Sequence, residues 1–264
     1  MEPKAASPKP EIGHVTLYEV WASLKAGLWD FRTAPAYGLA FSAVYVFGGV
    51  ILWWIGAGTF LWTLAMACGF PLIAPFAAVG LYEVSRRIEA DEPLSWAGVL
   101  GVIWNERRRQ LPWAGVVLAL IFLFWSFFAH MTLALFLGVS RLGSGLGLEA
   151  FLQSADGILM LAVQGLVGAA TAFLTFGLTV VALPLMVDKE IDFVSAMLIS
   201  LRTVTENKGA MIVWAAVVAV ALLIAMVPVF LGLLIVLPVL GHATWHLYRR
   251  ALYHPLASER VSEQ

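Results

Sequence analysis

The chain has 264 residues, 61% of them apolar and only 12% charged, with a net charge of −1. A soluble globule carries about 45–50% apolar and about 25% charged residues. The mean hydropathy of +0.88 agrees, so the solvent for most of the surface is lipid. The near-neutral charge excludes a general attraction to nucleic acid, and the single cysteine, Cys68, excludes an internal disulfide or a multi-thiolate metal site.

Residues 1–14, "MEPKAASPKPEIGH", are polar and proline-rich and lack the apolar stretch of a cleavable signal peptide. They read as a disordered cytoplasmic tail. A first amphipathic stretch follows, with Leu17, Trp21, Leu24, Leu28 and Phe31 at helical spacing. The next 50 residues, between Arg32 and Glu83, carry no charge. One crossing needs about 20 residues, so this gap holds two helices, with the turn at "GAG", 56–58. A second amphipathic stretch contains Trp96, Leu100, Ile103 and Trp104 and runs into "NERRR".

The gap from Arg109 to Arg141 fits one crossing, at 112–138, and the gap from Asp156 to Asp188 fits another, at 159–186. Between them, 139–157 reads as a flexible connector with a short interfacial helix over "LEAFLQ". Its glycines match neither G-x-G-x-x-G nor a P-loop. The third amphipathic stretch holds Phe193, Met197, Leu201 and Val204. The last gap, 40 residues from Lys208 to Arg249, holds two crossings with a turn near Pro228. Residues 255–264 form a C-terminal tail.

The expected fold is therefore all-α: a polytopic membrane helical bundle of six transmembrane helices in three hairpins, each preceded by an interfacial helix. The membrane domain spans 15–254, in units 15–92, 93–188 and 189–254. The second and third units align at an offset of 100 residues around Ser95 and Ser195. Lys and Arg number four in the N-terminal segment, five in 83–111, three in 188–208 and three at the C-terminus, against only Arg141 opposite. By the positive-inside rule both termini and the charged loops face the cytoplasm.

Pro75, Pro184 and Pro238 recur late in the second helix of each unit, where a missing N–H and a ring clash kink a helix. No Asp, Glu, Lys or Arg falls inside the six expected spans, whereas pumps, ion-coupled carriers and voltage sensors generally need such groups. His130 and Gln164 are the main polar pair inside, suited to an interhelical hydrogen bond or a ligand contact. His242 and His246 share a helix face at a spacing a metal or haem could use, but no carboxylate or Cys accompanies them. Interface anchoring is the favoured role for both. Gly165, Gly168, Ala169 and Ala172 permit close helix packing. Arg107, Arg108 and Arg109 set topology and suit anionic lipid headgroups. No nucleophile–base or paired-carboxylate set converges, so no catalytic residue, cofactor or metal is expected.

Three segments, "LKAGLWDFRTAPAYGLAF", "SAMLISLRTVTENKGAMIVW" and "FLGLLIVLPVLGHATWHLYRRAL", resemble a bacterial family of integral membrane proteins, domain of unknown function 2189. The last is the most distinctive, through Gly232, Pro238, Gly241, His242, Trp245, His246 and Tyr248. The resemblance extends over nearly the whole chain after the tail and implies a bacterial cytoplasmic membrane. Some members carry a cytochrome c oxidase label, but an oxidase catalytic subunit needs more helices and several intramembrane His ligands. The expected role is a non-enzymatic accessory, assembly or organising component of a membrane complex, such as a respiratory one, with the lipid bilayer and other membrane subunits as partners. A small-molecule or lipid transporter, with His130, Gln164 and threonines lining a lumen, is the alternative. A haem or metal protein using His242 and His246 is the third reading.

Overall fold

The computed structural model describes residues 10–54, 60–138, 152–228 and 230–253. Among these described residues ten helices run in order: α1 Leu17–Thr33, α2 Pro35–Trp54, α3 Phe60–Glu89, α4 Trp96–Glu106, α5 Leu111–Leu137, α6 Ala155–Thr179, α7 Ala182–Asp188, α8 Phe193–Glu206, α9 Lys208–Met226 and α10 Leu233–Ala251. The all-α class holds, with one small addition. Glu11–Ile12 pairs antiparallel with Leu252–Tyr253, and Gly13 N donates to Ala251 O at 2.9 Å. Residues 11–13, expected in a disordered tail, are thus tied to the end of α10. The expected turn at 56–58 and most of the 139–157 connector lie outside the described residues.

Among the described residues, three segments are long and apolar enough to cross a membrane: Leu111–Phe136, Ala155–Asp188 and Lys208–Met226. They correspond to the third, fourth and fifth expected crossings. Their outer surfaces are rich in exposed apolar side chains such as Phe124, Phe127, Leu135, Leu166 and Leu223. In water that would be an aggregation hazard, but against acyl chains it is the required surface.

The amphipathic stretches become α1, α4 and α8, and their starts are capped. Thr16 and Glu19 form a reciprocal capping box on α1. Ser95 and Asp192 accept from the third-position amides of α4 and α8. Each amphipathic helix packs on a helix returning to the charged end: α4 on α3, α8 on α6 and α7, and α1 on α10. Tyr37 stacks on Trp96 at 4.1 Å and so holds α4 against α2. The α1–α10 contact is backbone-close. A Cβ on Gly27 would lie 2.4 Å from Ala243 N and 2.6 Å from Val239 O, so only glycine fits there.

The buried core gathers at the charged end. It joins the C-terminal parts of α3, α7 and α10 to the first turns of α5 and α9, through Val79, Met186, Leu247, Leu111 and Met211 among others. The prolines bear on this convergence differently. Pro238 lies within a continuous α10 and meets Gly38 of α2, where a Cβ would be 2.8 Å from its ring. Pro75 lies within a continuous α3. Pro184 accompanies a full break, since α6 stops at Thr179 and α7 begins at Ala182. A proline cannot donate to the carbonyl four residues back and clashes with it, here Val180. Ser200 of α8 repairs the gap: its hydroxyl donates to Gly177 O at 2.7 Å and accepts from Val181 N at 3.1 Å. A neighbouring hydroxyl is a usual way to satisfy backbone freed inside a membrane helix.

Candidate functional site

The last three turns of α10 carry the densest polar cluster. Two registers of this helix, three and four residues apart, point at different neighbours. His242 is fully buried with Nδ1 2.8 Å from Ser85 Oγ of α3. Its Nε2 has no hydrogen-bond partner among the described residues. His246 places Nε2 2.8 Å from Asp30 Oδ2 of α1. A carboxylate only accepts, so this ring nitrogen donates. The two histidines share a helix but serve different partners, one on α3 and one on α1.

Around them the remaining polar groups form struts. Trp245 Nε1 donates to Glu89 Oε2 at 2.9 Å, and Arg249 Nε donates to Glu89 Oε1 at 3.1 Å. Tyr248 OH donates to Asp188 Oδ2 at 2.7 Å, while Arg249 Nη1 lies 3.7 Å from the same oxygen. Arg249 therefore bridges the ends of α3 and α7. Arg250 Nη1 donates to Ser23 Oγ of α1 at 3.3 Å. Nothing in the sequence marks Glu89, Asp188 and Asp30 as a set, because they lie on three separated helices.

Two further ionic clusters flank this knot. Buried Glu83 accepts from Arg86 Nε at 2.8 Å and Arg87 Nε at 2.6 Å, and Arg86 Nη2 continues to Glu92 at 2.8 Å. Hydrogen bonding to Arg86 holds the Glu92 carboxyl below the usual carboxylate range. In the second cluster Arg109 pairs with Glu106 and reaches Glu190 at 2.5 Å. Burial pushes the Glu106 carboxyl up, and the Arg109 charge opposes that shift only in part. Arg107 instead lies 3.2 Å from the centroid of the Trp104 ring, a cation–π contact. Arg108 closes a turn through its amide to Asn105 O at 3.1 Å.

Inside the bundle, Gln164 reaches from α6 to α5. Its Nε2 donates to Thr132 Oγ1 at 2.7 Å and to Ala129 O at 3.0 Å. Those residues flank His130, whose Nδ1 lies 2.7 Å from Ser126 O one turn back. Gln164 thus links α6 to α5 through Thr132 and Ala129, while His130, the residue expected to pair with it, contacts Ser126 O of its own helix. Thr171, Thr175 and Thr179 each donate to the carbonyl four residues earlier. In the small-residue patch, Gly168 seats Trp125 (a Cβ would be 2.8 Å from its ring), whereas Gly165 faces open space.

No group of three or more His, Cys, Asp and Glu able to hold a metal occurs among the described residues. Apart from His242 Nε2, the chemistry of the cluster is that of mutually paired groups. Residues 61–188 match the family model DUF2189, described as a predicted integral membrane protein. The match runs from α3 through α7. It leaves out all three segments that carried the resemblance in the sequence, which lie in α1–α2, α8–α9 and α10. No curated protein and no solved structure matches the chain.

Proposed function

We propose that this integral membrane protein crosses the bacterial cytoplasmic membrane six times as three repeated hairpins. Both termini and the charged loops 83–111 and 188–208 would be cytoplasmic. It would act without catalysis, as an accessory or organising component of a larger membrane complex. The observation that carries this reading is where the polar groups go. Glu83, Glu89, Glu106, Asp30 and Asp188 are each engaged by a named Arg, His, Tyr or Trp of the same chain. Such groups hold helices together, and what is left to meet other molecules is an apolar, aromatic exterior.

Support for six crossings comes from the ends of α3, α7 and α10 and the starts of α5 and α9, which share one core. The same placement of α1, α4 and α8 against returning helices supports three units. The binding of Gln164 and the threonines to nearby backbone and hydroxyl groups favours an organising role over a transport lumen.

Native purification from a membrane fraction in mild detergent tests the role. A stoichiometric protein partner is expected. Recovery of the chain as a monomer or homo-oligomer alone would contradict it.

A further inference from the structure

Away from the α10 cluster, a groove runs between the first turns of α1 and α9. Its upper part, of about 520 Å³, is bordered by His14, Thr16, Glu206, Lys208 and Gly209. Its lower part, of about 210 Å³, is bordered only by Leu17, Val20, Trp21, Leu24, Val213 and Val217. Leu17 and Val213 border both, so the polar mouth leads directly into the apolar crevice. Trp21 also borders a neighbouring hollow of about 390 Å³ that contains Lys25.

We propose that this groove binds one anionic glycerophospholipid from the leaflet at the charged end. Its phosphodiester would sit at Lys208 and one acyl chain along Val213 and Val217. Polarity changes along the groove in the order a lipid requires, from cation to aliphatic. Lys208 makes no ion pair among the described residues, unlike Arg86, Arg87, Arg109 and Arg249, so its charge is available to a phosphate. Glu206 at the mouth suits a headgroup with hydroxyl donors, such as glycerol. Depth agrees as well: at about 1.5 Å per residue, Lys208 to Val217 covers about 14 Å, close to one leaflet of a hydrocarbon core about 30 Å thick. A partner's membrane-spanning helix would need twice that length. Half of the wall is α1, whose exposed Tyr18, Trp21 and Trp29 suit the headgroup level. This proposal rests on the membrane location alone and not on the accessory role.

Protein in mild detergent, titrated with phosphatidylglycerol or with diacylglycerol of the same chains, tests it by native mass spectrometry. One phosphatidylglycerol per chain should bind at concentrations where diacylglycerol does not. Lys208→Gln should weaken binding about fivefold, as expected for one interfacial cation. Val213→Trp, which fills the crevice at an exposed position, should weaken it at least as much. Arg202→Gln, on the exposed side of α8, should leave it unchanged. Equal binding of diacylglycerol, displacement by millimolar inorganic phosphate, or unaltered binding in both groove variants would overturn the proposal.

Discussion

Gly27 decides how closely α1 can approach α10. Its hydrogen stands where a methyl would meet the backbone of Ala243 and Val239, and backbone cannot rotate aside as a side chain can. Gly27→Ala should therefore separate the two helices and cost about 1–3 kcal/mol, the usual range for overpacking. Gly209→Ala is the matched control, since its Cβ would meet nothing within 4 Å. Replacing glycine by alanine within a helix should there be neutral or mildly stabilising. Thermal melts in detergent compare the two, and a similar loss in both would remove Gly27 from this role. Gly241 is an intermediate case, because the atom a Cβ would meet, at 2.5 Å, is Leu81 Cδ1 of a flexible side chain. His242 and Ser85 show the other residue-scale lesson. A histidine pair read from its i, i+4 spacing suggests a shared ligand, but the helices packed alongside give each ring its own neighbour.

At the scale of elements, the caps set where the amphipathic helices begin. Asp192 accepts from Ser195 N at 2.8 Å, and hydrogen bonding from the Ser195 side chain, then from its amide, depresses the Asp192 carboxyl below its ordinary range. A depressed acid contributes stability above its unfolded value and loses it as pH falls through the folded one. Asp192→Ala should cost about 1 kcal/mol at neutral pH. The difference from wild type should shrink below about pH 4, where the unfolded carboxylate protonates. Melting curves at pH 7 and pH 3 read this directly, and a gap that widens in acid would contradict it. The element order was legible in the sequence because charge is so sparse. The gap from Arg109 to Arg141 delimits α5, and the gap from Lys208 to Arg249 holds α9 and all but the last turn of α10. The break before Pro184 was less legible, since proline signals a defect but not how far back it opens. Ser200, which heals it, belongs to another helix, and no local pattern identifies it. The offset of 100 residues suffers from the same limit. It fits the C-terminal ends at Glu106 and Glu206, but α8 begins at Phe193, three residues ahead of Ala196, the position that matches the start of α4 at Trp96.

For the whole molecule, the governing fact is that charge and core coincide at one end. Arg249 ties α3 to α7, His246 ties α10 to α1, and Arg109 ties the start of α5 to the segment after α7. The charged end is thereby cross-linked, while α5, α6 and α9 extend from it with largely exposed apolar surfaces. The proposed arrangement, three hairpins rooted in a common cytoplasmic base, would account for both features. The pattern of basic residues pointed to that base through topology, but the pairing of its carboxylates emerges only from the fold. Side-specific cysteine labelling tests this arrangement most directly. In a Cys68→Ala background, Asp91→Cys, Glu190→Cys and Gly145→Cys are treated with a membrane-impermeant maleimide. The arrangement predicts that Gly145→Cys reacts in intact spheroplasts, whereas Asp91→Cys and Glu190→Cys react only after lysis. Labelling of either of those two in intact spheroplasts, or protection of Gly145→Cys, would contradict it.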